Sequence, residues 1–67
     1  MAETRVGKIK FYNKDRGFGF IKSDREDFFF HVTDLQDQEY LPQAEDKVRF
    51  SVITGKKGLK AAYVEVC

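Results

Sequence analysis

Two short aromatic stretches constrain what this 67-residue chain can fold into more than any other feature. The first is residues 16–21, with the sequence RGFGFI, and the second is residues 27–32, with the sequence DFFFHV. Successive side chains of a β-strand point to opposite faces, so Phe18 and Phe20 lie on one side of a strand with Gly19 between them. The first stretch therefore predicts a strand that presents two neighbouring rings on a single face.

The second stretch divides by the same rule. Alternation places Phe28, Phe30 and Val32 on one side of a strand and Phe29 and His31 on the other. A polar turn of about four residues separates the two stretches, which is typical of a hairpin. The paired strands would then have one face for the core and one face for a platform of rings.

Three further segments have the composition of strands, so the chain is predicted to contain five. The predicted strands are residues 5–12, 18–22, 27–32, 47–54 and 59–66. Five strands this short cannot form a sandwich of ordinary size, and an open sheet would leave long exposed edges. The predicted fold class is therefore all-β, a small five-stranded antiparallel Greek-key barrel (OB-fold), a class in which the second and third strands carry the ligand face.

The pattern also predicts local details. Gly7 is predicted to mark a β-bulge, because Val6 and Ile9 do not share the same parity along the first strand. Thr33 is predicted to be the N-cap of a short helical turn in the connection formed by residues 33–43. The predicted core consists of Ile9, Ile21, Phe28, Phe30, Val48, Phe50, Val52, Ala62, Val64 and Val66, with Val32 in the core or at its margin.

Length and composition exclude several classes of protein. A chain this short is expected to form one domain, residues 1–67. Its one cysteine, Cys67, and its one histidine cannot build an intramolecular disulfide or a zinc site. No apolar run approaches the roughly 20 residues of a membrane span, and the N-terminus does not resemble a signal peptide. We expect a cytoplasmic monomer that uses no metal or cofactor.

The net charge of +1 conceals a segregation of charge along the chain. Residues 1–25 contain seven Lys or Arg against three acidic residues, and residues 26–46 contain seven acidic residues and no Lys or Arg. Residues 47–60 contain five Lys or Arg and no acidic residue. A folded domain with this pattern could present a basic face and an acidic back, although a solvated surface of mixed charge is the alternative.

Flat rings beside cations are what a stacked, unpaired nucleic-acid strand requires. The predicted stacking residues are Phe18, Phe20, Phe29 and His31. Phosphate or sugar contacts are predicted from Lys10, Arg16, Lys22 and Lys56 or Lys57, and a hydrogen bond from a base edge is predicted to Asp27. The sequence therefore predicts a protein that binds single-stranded RNA or DNA.

Each of these residues also has a simpler interpretation. The rings could belong to the core, but other residues already supply a core, and a clustered apolar patch on a soluble monomer usually marks a binding site. His31 could be an ordinary exposed histidine, Asp27 could end the hairpin turn, and the cations could be solvated. The same aromatic face could instead bind a partner protein. An enzyme is not predicted, because no motif places a Ser or Cys nucleophile near His31.

The chain resembles the cold-shock domain family in four motifs that occur in the family's order. Residues 17–21, preceded by a basic residue, resemble the family's first ribonucleoprotein motif, and Phe29 and His31 lie in a stretch that resembles the second. Residues 7–13 resemble the first strand, and residues 58–62 resemble the entry to the last strand. The resemblance covers nearly the whole chain and implies an RNA chaperone or a cold-shock-type regulator.

The chain departs from the family pattern at several positions. Phe11 stands where the family usually has tryptophan, and Val32 stands where it usually has phenylalanine. Leu59 replaces the usual proline, and Tyr63 occupies a position often held by asparagine. Tyr40 corresponds to a loop aromatic that packs on a base. Together, the predicted nucleic-acid-binding residues are Lys10, Phe11, Arg16, Phe18, Phe20, Lys22, Asp27, Phe29, His31, Tyr40 and Lys57.

Overall fold

All five predicted strands are present in the computed structural model, which describes residues 3–56 and 58–67. The strands are β1 (Glu3–Asn13), β2 (Phe18–Ser23), β3 (Glu26–His31), β4 (Lys47–Gly55) and β5 (Gly58–Val66), and a single turn of 3₁₀-helix spans Val32–Asp34. The predicted boundaries are correct to within two residues. Within the described residues, no helix is long or apolar enough to cross a membrane.

The strands close into a barrel in the order β1-β2-β3-β5-β4, which confirms the predicted fold class. Neighbouring strands pair antiparallel except β3 and β5, which run parallel and share one registered pair, Phe29 with Lys60. A parallel bridge between Leu35 and Val64 extends this seam beyond the end of β3. Closure of the barrel removes the exposed sheet edges that an open arrangement of these strands would leave.

The barrel interior contains most of the predicted core. Seven large side chains are at most 1% exposed: Ile9, Ile21, Phe28, Phe30, Val48, Phe50 and Val64. Leu35 and Ala61 complete this cluster, while Val32 and Val52 are partly buried and pack against it. The prediction for Val66 is wrong, because this residue is 52% exposed at the last position of β5.

A bulge in β5 explains why its residues do not follow simple alternation. The register of β5 against β4 shifts between Arg49 and Ser51, near Tyr63, whose φ of 53° is in the left-handed region. As a result, Ala61 joins the core cluster, whereas Ala62 is buried but lies outside it. Ala62 and Val64 are therefore buried as predicted, and the bulge adds Ala61 to the core.

The predicted bulge in β1 occurs at a different place. Gly7 pairs in regular register with Val48, and the shift of β1 against β2 lies between Ile9 and Phe11. Gly7 has another role: a Cβ atom there would lie 2.6 Å from the carbonyl oxygen of Lys22, which is closer than any side chain permits. The glycine therefore allows a close approach of two strands.

The helical turn after β3 begins earlier than predicted. Its N-cap is His31, whose Nδ1 accepts a hydrogen bond from the backbone N–H of Thr33 over 3.2 Å. The carboxylate of Asp34 accepts a hydrogen bond from the backbone N–H of His31 over 2.9 Å. Thr33 is therefore a residue within the turn and not its cap, because the imidazole ring already occupies the capping position.

Candidate nucleic-acid interface

The outward faces of β2 and β3 form one continuous surface, because the two strands pair in register around a two-residue turn. Their inward residues, among them Ile21 and Phe28, are buried in the core. The outward residues face each other in three registered pairs: Phe18 with His31, Phe20 with Phe29, and Lys22 with Asp27. The alternation read from the sequence thus separates this surface from the core.

Four phenylalanine rings on this surface are in mutual contact, and we call them the ring cluster: Phe11, Phe18, Phe20 and Phe29. Phe11 lies 5.4 Å from Phe20 between ring centroids, and Phe20 lies 5.8 Å from Phe29. Phe18 stacks on Phe29 at 5.9 Å with an interplanar angle of 24°. Phe11 and Phe29 remain 42% and 37% exposed, so the cluster is open to solvent although its members touch.

The bulge in β1 completes the ring cluster. It interrupts alternation after Ile9, so that both Lys10 and Phe11 reach the outward surface. Tyr12 then turns inward, where its ring stacks on the buried ring of Phe30. A regular strand would have placed Lys10 and Phe11 on opposite faces. The bulge therefore places the Phe11 ring and the Lys10 cation on the same face.

Gly19 allows the ring cluster to lie directly over the core. A Cβ atom at this position would be 2.5 Å from the carbonyl oxygen of Phe11 and 2.8 Å from the buried ring of Phe30. Only a glycine leaves room for both groups. The glycine between Phe18 and Phe20 is thus required by the packing of Phe30 beneath it.

A groove of about 640 Å³ lies beside the ring cluster, between β3 and the β4–β5 hairpin. Phe20 and Phe29 form one side, and Leu59, which is 51% exposed, lies on the hairpin side. Lys60 and Asp27 contribute charged groups to the groove. Sequence reasoning missed Leu59 and Lys60, because the parallel pairing of β3 with β5 has no local sequence signal.

The candidate cations on this face have different environments. Lys10 forms an ion pair with Asp27 over 2.9 Å, so two residues predicted to contact the ligand contact each other. Lys22 is exposed and registered with both Lys8 and Asp27. Arg16 is exposed in the β1–β2 connection, where its backbone N–H donates to the side chain of Asn13.

Tyr40 does not join the residues on this face. Lys57 lies outside the described residues. Tyr40 packs against the core cluster and is partly buried, and its hydroxyl donates to Asp46 over 2.6 Å. Burial, together with this hydrogen bond to Asp46 and the carboxylate charge, raises the pKa of Tyr40. The structure therefore does not bring Tyr40 to the ring cluster.

Comparison with known proteins identifies the family. The family model described as the 'Cold-shock' DNA-binding domain matches residues 5–67. The chain belongs to the cold-shock domain family. It is 40% identical to the cold shock-like protein CspG of Escherichia coli K12 and 37% identical to the cold shock-like protein CspA of Vibrio cholerae, in each case over 96% of both chains. Cold-shock domains are nucleic-acid-binding domains.

The fold agrees with a solved member of this family. A structure titled drosophila Unr CSD456 superimposes with a TM-score of 0.81 and 27% sequence identity, covering 97% of the present chain. The present chain spans only 27% of the length of that protein chain. The comparison therefore supports the cold-shock barrel and extends to no property of the longer protein.

Proposed function

We propose that this cold-shock domain binds single-stranded RNA or DNA by stacking unpaired bases on the ring cluster and His31. The observation that carries the proposal is the row formed by Phe11, Phe20 and Phe29, which are in register across three strands on a solvent-exposed face. Stacking accepts any base, because every base has a π-face. Preference among sequences is therefore expected to be weak.

The expected free energies of base stacking indicate a reversible interaction. Each base stacked on an aromatic side chain contributes about 1–3 kcal/mol, and ordering of the strand and of exposed side chains offsets part of this sum. Three or four stacked bases then give a dissociation constant on the order of micromolar. Binding of this strength suits an RNA chaperone or a cold-shock-type regulator, which must hold unpaired stretches and release them again.

Single strands should be preferred over duplexes, because paired bases are stacked on each other and cannot lie on side chains. The exposed lysines and Arg16 next to the ring cluster would contribute phosphate contacts that depend on salt. We propose that the protein acts in this way in the cytoplasm, as a monomeric domain spanning residues 1–67 and without catalysis. The role of Lys57 in phosphate binding and that of Tyr40 in base packing remain predictions.

A titration with a pyrimidine-rich oligonucleotide tests the proposal. Because the chain contains no tryptophan, the oligonucleotide carries the fluorescent label. The single strand should bind much more tightly than its matching duplex, and the double variant Phe20→Ala/Phe29→Ala should lose affinity. Equal affinity for single strand and duplex, or no loss in the double variant, would contradict base stacking on this face.

The control is a double variant that truncates exposed apolar residues outside the ring cluster. Leu41→Ala/Val66→Ala removes two such side chains, which are 56% and 52% exposed. Its affinity for the oligonucleotide should equal that of the parent protein. If the protein co-purifies with a stoichiometric protein partner and binds no oligonucleotide, the aromatic face serves protein recognition instead.

A further inference from the structure

His31 is held in one orientation by hydrogen bonds on the side of the ring that faces its own backbone. Its Nδ1 accepts from the backbone N–H of Thr33 over 3.2 Å and lies 3.0 Å from the Thr33 hydroxyl. Its own backbone N–H donates to Asp34. The imidazole thus caps the 3₁₀ turn while it lies opposite Phe18 on the outward face of β3.

The backbone N–H of Thr33 decides which nitrogen of the ring carries the proton. A backbone amide is always a donor, so the Nδ1 atom that it meets must offer a lone pair. The proton of the neutral ring is then on Nε2, and the Thr33 hydroxyl also donates to Nδ1. Thr33 therefore acts as a positioning residue that fixes both the ring and its tautomer.

The opposite nitrogen is available to a ligand. No described residue accepts a hydrogen bond from Nε2. Among the described residues, every buried polar side-chain atom has a hydrogen-bond partner, so an Nε2 atom without a partner is not a buried one. Because His31 is only partly buried, Nε2 therefore reaches solvent. An N–H group lies in the plane of its ring, so it cannot bond to a base stacked on the ring face. Its partner must lie beside the ring.

We propose that His31 contributes a fixed Nε2–H donor to the nucleic-acid site, directed at an acceptor oxygen of the nucleotide next to the one stacked on its ring. The acceptor is either a base carbonyl or a phosphate oxygen, since both present the same chemistry to the donor. This inference rests on the proposed function. It adds a directional contact to a face that otherwise recognises bases by stacking, and it assigns Thr33 the task of maintaining that contact.

The tautomer can be tested without any ligand. His31 is the only histidine of the chain, so tag-free ¹⁵N-labelled protein gives a single set of imidazole nitrogen signals. A long-range ¹H–¹⁵N correlation spectrum of the neutral ring should show a proton-bearing Nε2 and a proton-free Nδ1, whereas urea-unfolded protein should show the average of two tautomers. A proton on Nδ1 in the folded protein, or the same average as in urea, would overturn the proposal.

The donor role is tested with His31→Phe, which keeps an aromatic ring but has no N–H. Its affinity for a thymidine oligonucleotide should fall about two- to tenfold, the loss expected for one hydrogen bond. His31→Asn, which can still cap the turn, should lose affinity as well, and thermal melting of both variants establishes that they are folded. Unchanged affinity in His31→Phe would contradict a ligand-bound donor.

Modified oligonucleotides identify the acceptor and separate the two proposals. Difluorotoluene replaces thymine without its carbonyl oxygens, and a methylphosphonate of defined configuration replaces one chosen nonbridging oxygen of a phosphate by a methyl group. The affinities of the parent protein and of His31→Phe are compared on each modified oligonucleotide. When the modification removes the acceptor oxygen, the two proteins should bind about equally, and this should occur at a single position in one of the two series of oligonucleotides. The same ratio of the two affinities on every oligonucleotide would refute the donor role while leaving stacking intact. If the parent protein binds no oligonucleotide, the proposed function and the donor role both fail, and the spectrum still determines the tautomer.

Discussion

Lys10 and Asp27 form an ion pair across β2, with 2.9 Å between Nζ and Oδ2, on the same face as the ring cluster. Their side chains are 52% and 41% exposed. Ion pairs this exposed contribute about 0–1 kcal/mol, so a phosphate group can displace Asp27 from Lys10 without a large penalty. Asp27 therefore restrains a cation that the proposed ligand needs.

The variant Asp27→Asn should release Lys10 for a phosphate contact. We expect the plot of log affinity against log salt to become steeper by about 0.7, the value for one additional phosphate neutralised on a single strand. The slope is the diagnostic quantity, because a lost hydrogen bond between Asp27 and a base would change affinity but not salt dependence. The measurement is a series of oligonucleotide titrations between low and moderate salt.

A matched control separates this local effect from net charge. Glu39→Gln makes the same charge change at an exposed position in the connection between the 3₁₀ turn and β4. Its salt slope should equal that of the parent protein. An equal steepening in both variants would show that overall charge, and not the release of Lys10, is responsible.

Phe11 offers a second test of the ring cluster. It is 42% exposed and meets Phe18 edge-on and Phe20 at a tilt of 39°, so the larger indole of Phe11→Trp can be accommodated toward solvent. The greater apolar area should raise the affinity for single strands by about two- to fivefold. Tryptophan emission should also be quenched when a base stacks on the indole. Titration by fluorescence measures both effects at once.

The variant Tyr63→Trp is the control for this prediction. It introduces the same fluorophore on β5, at a residue that is 65% exposed and has no ring contact with the ring cluster. Its tryptophan emission should change little when the oligonucleotide is added, and its affinity should differ little from that of the parent protein. Phe11→Trp should change in both respects. Quenching at position 63 alone, with none at position 11, would move the binding site away from the ring cluster.

The arrangement of β2 and β3 could be predicted from the sequence, because it depends on local rules. Strand alternation assigns Phe28 and Phe30 to the core and Phe29 to the surface, and a short turn fixes how the two strands pair. The barrel follows from the number and shortness of the strands. These features need no knowledge of distant contacts.

Other features of the site depend on contacts between distant parts of the chain. The bulge that brings Lys10 beside Phe11 lies just after β1 changes from pairing with β4 to pairing with β2, and no residue type in this segment predicts it. The groove next to Phe29 depends on parallel pairing with Lys60, 31 positions further along the chain. The capping role of His31 is also hidden, because histidine is not among the usual N-cap residues.

Tyr63 should limit stability. Its φ of 53° costs an L-residue with a bulky side chain about 1–2 kcal/mol, whereas asparagine tolerates this region. Because the side chain is 65% exposed, Tyr63→Asn should lose little packing and should stabilise the fold by up to about 1 kcal/mol. Urea unfolding measures the change.

The matched substitution Val66→Asn gives the contrasting result. It also replaces an exposed apolar residue of β5, but Val66 is not among the described residues with positive φ. Asparagine is unfavourable in an extended strand, so this variant should be slightly less stable than the parent. Destabilisation of similar size in both variants would argue against relief of strain at position 63.

Tyr40 should make the stability of the fold depend on pH in the alkaline range. Burial and the hydrogen bond to Asp46 raise the pKa of its phenol, so the folded state holds this proton at a pH where the unfolded state has released it. The resulting stability is complete below the unfolded pKa of about 10 and is lost as pH rises from there toward the folded pKa. The loss can reach about 1.4 kcal/mol per pH unit.

The variant Tyr40→Phe should therefore be less stable than the parent by about 1 kcal/mol at neutral pH, where it lacks the hydrogen bond to Asp46. The difference should narrow as pH rises above about 10, because only the parent loses the contribution of the phenolic proton. Tyr63→Phe removes a hydroxyl from a ring that is 65% exposed, and its stability should stay parallel to that of the parent. Urea unfolding at a series of pH values between neutral and alkaline provides the measurement. A constant difference between parent and Tyr40→Phe across this range would mean that the Tyr40 proton does not stabilise the fold.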